Sequence, residues 1–141
     1  MFTDDYIMRQ IEGLSRCLAK VLFDRDEDDY QVVDSEGRFS DSDFFGYQLR
    51  RRLREGQINE AENLLFETVE REPRRDYLLI ALQFYAELQA MTDEQLEKGG
   101  FSRAEIAEGI ADLCGIYGVT AEEAAEEAAE PLAPGEENGG E

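Results

Sequence analysis

The acidic run that begins at Asp24 has the residue types of a calcium-binding loop. Asp24, Asp26 and Asp28 stand at the first, third and fifth positions, where an EF-hand loop places its oxygen ligands. The sixth position, where the sharp turn needs glycine, is Asp29, and the twelfth, which needs a bidentate glutamate, is Ser35. We therefore expect weak binding of divalent cations by a solvated loop, and no specific metal site.

Half of the basic residues, seven of 14, lie between Arg50 and Arg75. A guanidinium group can bind a carboxylate or phosphate through two parallel hydrogen bonds, so this stretch is a candidate site for an anion or an acidic peptide. A helical wheel places three of these arginines away from the apolar face of their helix, whereas Arg52 flanks that face and is expected to pair with a carboxylate. The alternative is a solvated surface balanced by neighbouring glutamates. The predicted partner-binding residues are Arg50, Arg51, Arg54, Arg71, Arg74 and Arg75.

The rest of the residue inventory argues against catalysis. The chain has no histidine, which excludes a triad with an imidazole base and a zinc site that contains histidine. Cys17 and Cys114 fall within apolar helical patterns and are expected to be buried thiols, with a disulfide as the less favoured alternative. No pair of carboxylates stands out as acid and base, and Gly99-Gly100 lacks the Lys-Ser/Thr of a phosphate-binding loop. We predict a protein that is not an enzyme, with no catalytic residue and no cofactor.

The charge of the chain restricts its partners. Its 34 acidic and 14 basic residues give a formal net charge of −20, which repels nucleic-acid phosphate and anionic lipid. An RNA site is further disfavoured because no aromatic residues are expected among the outward-facing arginines. No apolar run approaches the roughly 18 residues of a membrane span, and the start of the chain is polar and acidic. The expected location is the cytoplasm, and the expected partner is an unknown protein or peptide.

Apolar residues at helical spacing predict the secondary structure. Ser40 with Asp43, and Ser102 with Glu105, have the spacing of capping boxes at helix starts, and Gly56 is expected to end a helix. A short turn of helix is expected after Thr92. The main helices are predicted over residues 4–23, 42–55, 58–72, 76–90 and 102–117, and the fourth is apolar nearly all round, which indicates a central position.

An apolar stripe runs along the first predicted helix. Ile7, Ile11, Leu14, Leu18 and Val21 recur at alternating spacings of four and three, which places them on one face. The stripe covers under three heptads, so a core face is favoured over a coiled-coil seam between two chains.

Two segments do not show helical periodicity. Residues 24–43 combine the acidic run with a short apolar fragment beside Gly37, which predicts either a small hairpin or a loop. The chain after Val119 has eight acidic and no basic residues, so it cannot bury enough apolar surface to order itself. Residues 119–141 are therefore predicted to be a disordered acidic tail.

The segment from Gly56 to Phe84 resembles tetratricopeptide repeats. It joins the second helix of one repeat to the first helix of the next: Gly56-x-Ile58-x-Glu60-Ala61 with Leu65, Thr68 and Pro73, then Tyr77-x-x-Ile80-Ala81-x-x-Phe84, where that family has tryptophan, leucine, glycine and tyrosine. The resemblance covers residues 45–88 and departs from the family pattern at Arg52, where an aromatic residue is expected, and after Leu88, where the glycine turn and the alanine-rich partner helix are missing. It implies an antiparallel stack of helical hairpins over residues 43–90 and a surface that binds a protein or peptide. The alternative is any helical bundle with similar helix lengths.

The start of the chain resembles a second family. Asp5-Tyr6-Ile7-Met8-Arg9-Gln10-Ile11-Glu12 looks like the opening of an uncharacterised family of small all-helical bacterial proteins, in which a tetratricopeptide-like segment follows. This resemblance implies the same fold and a cytoplasmic location, and it assigns no activity.

The combined prediction is an all-α protein with a tetratricopeptide-like antiparallel helical hairpin stack of about five to six helices over residues 1–118. Its predicted function is a non-enzymatic protein–protein interaction module that binds an extended or helical peptide. The alternative is a structural homodimer formed through the first helix, with no peptide groove.

Overall fold

A computed structural model of the chain describes residues 4–24, 40–120 and 122–123. Across these residues the chain is α-helical with no strand, so the all-α prediction is confirmed. The bounds agree with the predicted helices to within two residues at nearly every end. The helices are α1 (Asp4–Asp24), α2 (Asp41–Arg54), α3 (Ile58–Arg71), α4 (Arg75–Ala90), α5 (Asp93–Lys98) and α6 (Arg103–Ile116).

Side-chain caps fix where the helices begin. At the start of α2 the Ser40 hydroxyl accepts a hydrogen bond from the Asp43 backbone N–H at 3.1 Å, and the Asp43 carboxylate accepts one from the Ser40 N–H at 3.2 Å. The same reciprocal pair joins Ser102 and Glu105 before α6. Each box satisfies two backbone N–H groups that would otherwise have no partner, and both were predicted from spacing alone.

Glycines in the left-handed conformation end α2, α5 and α6. At the end of α2, Gly56 has φ +77°, its N–H donates to the Leu53 carbonyl, and the Gln57 N–H donates to the Arg52 carbonyl at 2.8 Å. This is a Schellman motif, and glycine adopts its positive φ without steric cost. Because the turn reverses the chain within three residues, α2 and α3 form an antiparallel hairpin.

Helix α4 lies at the centre of the core. Leu78, Ala81 and Leu88 are fully buried, and α4 packs against four other helices, α1, α2, α3 and α6. This agrees with its nearly continuous apolar sequence, because a helix that contacts other helices on several sides exposes little surface to solvent.

The apolar stripe of α1 is a core face. Ile11, Leu14 and Leu18 are between 0% and 5% exposed, and α1 packs chiefly against α6. The favoured prediction for the stripe is therefore confirmed.

Two hydrogen bonds connect the start of α4 to the ends of α1 and α6. The Arg75 guanidinium donates through Nη2 to the Leu22 carbonyl near the end of α1 at 3.1 Å, and the Tyr117 hydroxyl donates to the Arg74 carbonyl at 2.7 Å. The last turns of α1 and α6 therefore both meet the first turn of α4.

Cys17 and Cys114 are both buried thiols and do not form a disulfide, as expected. Burial, and to a smaller extent the neighbouring Cys17, raises the pKa of Cys114 to about 12. A thiol with this pKa stays protonated at neutral pH, which makes it a poor nucleophile.

Several predictions fall on other parts of the chain. The acidic run after Asp24, the hairpin or loop that follows it, and nearly all of the acidic tail lie outside the described residues. At the start of the tail, the Thr120 hydroxyl accepts a hydrogen bond from the Glu123 N–H at 3.0 Å. No described helix is long and apolar enough to cross a membrane.

Candidate functional site

The side of α2 that faces away from the core carries both aromatic and basic side chains. Phe44, Tyr47, Arg51 and Arg54 follow one another at spacings of three, four and three, which places them in one stripe along the helix. We call these four residues the α2 outer face. Phe44 is 51% exposed and Tyr47 is 43% exposed, so two neighbouring rings of one helix present apolar surface to solvent.

These aromatic residues correct one of our expectations. The outward-facing arginines were expected to have no aromatic neighbours, and this is wrong, because Phe44 and Tyr47 share their stripe with Arg51 and Arg54. The sequence contained the signal: both aromatics lie opposite the Phe45/Leu49 side on a helical wheel, at helical spacing from Arg51.

The arginines of α2 form few ion pairs within the chain. Arg51 lies 3.5 Å from the Glu55 carboxylate, and both side chains of this pair are at least half exposed. Arg50 and Arg54 are exposed and form no ion pair with any described residue. The expected carboxylate partner of Arg52 is also absent among the described residues, where Arg52 is half-buried beside the core.

A shallow cleft lies between α2 and α4, and none of its lining residues belongs to the α2 outer face. Its apolar floor comes from both helices, and Arg50 and Glu87 stand on opposite sides of it. A Cβ at Gly46 would lie 3.3 Å from both the Arg50 guanidinium and the Ile80 side chain, so glycine permits the close approach of α2 and α4. The cleft has a volume of about 20 Å³, enough for roughly one water molecule, and is too small for an organic ligand.

Arg74 is held by contacts within the chain. It donates two hydrogen bonds to the buried Asp76 carboxylate at 3.0 and 2.6 Å, and its guanidinium lies 4.3 Å from the centre of the Tyr77 ring. It also lies 3.6 Å from the Asp41 carboxylate at the start of α2. Asp76 in turn accepts a hydrogen bond from the Tyr77 N–H, so Arg74 neutralises a carboxylate that the fold buries.

The six predicted arginines do not form one patch. Arg50, Arg51 and Arg54 lie in the C-terminal half of α2, whereas Arg74 contacts Asp41, the first residue of α2. These positions are about 14–20 Å apart along the helix. Arg75 is half-buried at the junction with α1, and Arg71 is exposed in the last turn of α3. Of the six predicted arginines, the structure therefore brings together only Arg50, Arg51 and Arg54.

A second concavity, which we call the acidic pocket, lies between α3 and α6 on another side of the protein. It has a volume of about 170 Å³, and four of its eight lining residues carry carboxylates. At its base the Tyr85 hydroxyl, which is almost fully buried, donates a 2.6 Å hydrogen bond to Glu62. The pocket is lined by Asn59, Glu62, Phe66, Phe101, Glu105, Glu108, Gly109 and Asp112.

The surroundings of the acidic pocket favour the protonated form of Glu62. Burial raises the pKa of Glu62 above its ordinary value, and the hydrogen bond from Tyr85 partly opposes this rise. The three carboxylates of α6 raise the pKa further, because a like charge disfavours ionisation. Among the described residues, no group of three carboxylate or thiol side chains is arranged to hold a metal ion.

We expect the stability of the chain to fall as the pH rises through the titration of Glu62. Its pKa is raised in the folded state, so the folded chain holds this proton more tightly than the unfolded chain does. The contribution of Glu62 to the free energy of unfolding is complete below the pKa that Glu62 has in the unfolded chain. It is lost as the pH rises through the pKa of Glu62 in the folded chain.

Glu62→Gln keeps an acceptor for Tyr85 and removes the charge, so it should flatten this pH dependence and stabilise the chain at neutral pH. Thermal unfolding of both proteins between pH 4 and pH 8 measures the effect. Glu67→Gln, an exposed change of equal charge on the same helix, is the control. If the unfolding temperatures of Glu62→Gln and Glu67→Gln depend on pH in the same way, the raised pKa of Glu62 is contradicted.

The described residues form a small all-helical protein. The chain belongs to the family of unknown function DUF6483, whose sequence model matches residues 1–118 and so spans all six helices. The expectation of an uncharacterised family of small all-helical proteins is thus confirmed. No curated protein and no solved structure matches the chain.

Proposed function

We propose that this chain is a non-enzymatic protein-interaction module whose partner binds at the α2 outer face. The observation that carries the proposal is the position of Phe44 and Tyr47, 51% and 43% exposed, in one stripe with Arg51 and Arg54. Aromatic residues and arginine are the types enriched at the centres of protein interfaces, because they combine large apolar area with directed hydrogen bonds.

The arrangement of α2, α3 and α4 supports the tetratricopeptide-like part of the proposal. Helices α2 and α3 form a hairpin and α4 stacks on it, as the repeat resemblance implies. The two small residues of the repeat pattern, Ala61 and Ala81, are fully buried where helices approach closely, and Pro73 lies in the turn between α3 and α4. Stacked helical repeats of this kind form extended surfaces that bind partners.

The non-enzymatic part of the proposal is supported by the residue inventory. The chain has no histidine, and burial raises the pKa of Cys114 to about 12, which removes this thiol as a nucleophile. The proposal includes a cytoplasmic location, which is supported by two buried thiols that form no disulfide, because the cytosol keeps thiols reduced.

A homodimer through the apolar stripe of α1 is the less supported alternative. Ile11 and Leu18 are at most 1% exposed within a single chain, so such a dimer would have to displace the packing of α1 against α6. The large apolar residues that are exposed at the start of α1 are Tyr6 and Met8, and neither belongs to the stripe.

The proposal is tested by affinity purification from the native host at endogenous expression levels. We expect the wild-type chain to retain a specific set of proteins. The double variant Phe44→Ser, Tyr47→Ser should retain about ten-fold less of each, because truncation of a hot-spot residue costs about 1.4 kcal/mol or more of binding free energy. The matched control is Tyr6→Ser, Met8→Ser, which changes two residues of similar exposure on α1.

Retention of the same proteins by all three versions would refute the α2 outer face as the binding surface. Enrichment of no protein by the wild type would refute the interaction function itself.

A further inference from the structure

We infer that the segment that binds the α2 outer face is an acidic amphipathic helix. Its apolar residues pack on Phe44 and Tyr47, and its carboxylates pair with Arg51 and Arg54. This inference rests on the proposed function and specifies the chemistry of the partner.

The charge distribution indicates an acidic partner. The chain carries a net charge of −20, yet residues 50–54 of α2 hold four arginines and no acidic residue. Arg50 and Arg54 form no ion pair with any described residue, so no described carboxylate lies close enough to pair with either guanidinium. A positive surface on a strongly negative protein attracts an acidic segment at that place and repels it elsewhere.

The existing ion pair on this face is easily replaced. Arg51 and Glu55 lie 3.5 Å apart with side chains that are 61% and 50% exposed. Exposed pairs of this kind contribute little to stability. A partner carboxylate can therefore displace Glu55 from Arg51 and form a bidentate pair at little cost to the fold.

The shape of the surface indicates a helical partner. The stripe from Phe44 to Arg54 is straight and about 15 Å long, which matches the ridge of about three turns of a second helix.

The order of residues along the stripe also predicts the orientation of the partner. The aromatics lie toward the start of α2, and Arg51 and Arg54 lie in its last turn. Acidic residues are most favourable in the first turn of a helix, where they meet the positive end of the helix dipole. A partner with carboxylates in its first turn must run antiparallel to α2 to place them on these arginines.

Fluorescence anisotropy with three labelled peptides tests the inference on the full chain. The peptides share one apolar stripe and differ only in the first turn, which carries glutamate, glutamine or lysine. We expect the glutamate peptide to bind about ten-fold or more tightly than the other two at low ionic strength, and added salt to reduce the difference.

The protein variants assign this binding to its surface. The double variant Arg51→Glu, Arg54→Glu should weaken binding of the glutamate peptide about ten-fold or more. The single variant Tyr47→Ala should weaken it by a similar factor. Arg71→Glu, an exposed arginine at the end of α3, should leave it unchanged. All the changed side chains are exposed or nearly half exposed, and thermal unfolding should show native helicity in every variant.

Each contrary outcome has a distinct meaning. Equal binding of the three peptides, lost in Tyr47→Ala, overturns the acidic partner and leaves the proposed function standing. Binding that no α2 variant affects, or no binding at all, overturns the inference and counts against the α2 outer face. A dimer in sedimentation that Arg51→Glu, Arg54→Glu dissociates overturns it in favour of a second copy of the chain. Binding of a labelled uridine oligonucleotide that the same variant abolishes overturns it in favour of nucleic acid.

Discussion

Replacing Gly109 with alanine is expected to destabilise the folded chain by about 2–3 kcal/mol, because the new methyl group would enter occupied space. A Cβ at this position would lie within contact distance of the Tyr85 hydroxyl and 2.7 Å from both Tyr85 Cζ and a Glu62 carboxylate oxygen. Tyr85 is 1% exposed and its ring packs edge-on against Phe84 with ring centres 5.1 Å apart, so a shift of the ring would disturb the packing of the core.

Two opposing effects set the size of this change. Alanine is favoured over glycine in a helix interior by up to about 1 kcal/mol. Relief of the clash, however, requires the hydrogen bond from Tyr85 to Glu62 to lengthen or break, which leaves a buried hydroxyl unsatisfied at a cost of about 1–3 kcal/mol. The packing strain comes in addition, so destabilisation wins.

Gly115→Ala is the matched control for this experiment. Gly115 lies in the same helix, and a Cβ there would meet nothing within 4 Å. Only the helix propensity acts, so this variant should be stabilised by a few tenths to about 1 kcal/mol. Chemical denaturation measures both variants, and a Gly109→Ala protein as stable as Gly115→Ala would contradict the close packing.

A double variant identifies the atoms responsible. Tyr85→Phe removes the hydroxyl that the new Cβ would contact, so it should recover part of the stability lost in Gly109→Ala. Additive effects of the two substitutions would show that the loss arises elsewhere in α6.

The elements that could be predicted from sequence are those whose causes lie within a few residues. The capping box of Ser40 and Asp43 and the turn at Gly56 act over three or four positions, so their spacing is sufficient to locate the ends of α2. Gly109 could be recognised as a glycine of close packing. Its neighbours could not, because Glu62 and Tyr85 come from two other helices and meet only after those helices pack.

The arginines show the same limit in the candidate site. Arg74 and Arg54 look alike in sequence, since each is an arginine near a helix end beside acidic residues. In the structure their roles differ. Asp76 is 7% exposed, and a buried carboxylate needs a partner of opposite charge, so Arg74 pairs with it and has a structural role. The exposure of Phe44 and Tyr47 is different, since helical spacing alone places them opposite the core.

Replacing Leu18 with aspartate is expected to unfold the chain. Leu18 is 0% exposed in the core that α1 shares with α6. Truncation of a buried leucine costs about 2–5 kcal/mol, and an aspartate that remained there would bury an unpaired carboxylate at a further cost of several kcal/mol. The sum is comparable with the whole free energy of unfolding of a small domain, about 5–15 kcal/mol.

This result separates the two functions considered for the chain. If the α1 stripe were a seam between two chains, Leu18→Asp would convert a dimer into a folded monomer that keeps its helicity. If the stripe belongs to the core of one chain, circular dichroism should show helicity lost together with the cooperative thermal transition. Met8→Asp, at a position on α1 that is 37% exposed, is the control and should change the stability by about 0.5 kcal/mol or less. A folded Leu18→Asp monomer obtained from a wild-type dimer would reverse the order of the two proposals, because the α1 stripe would then be the interface.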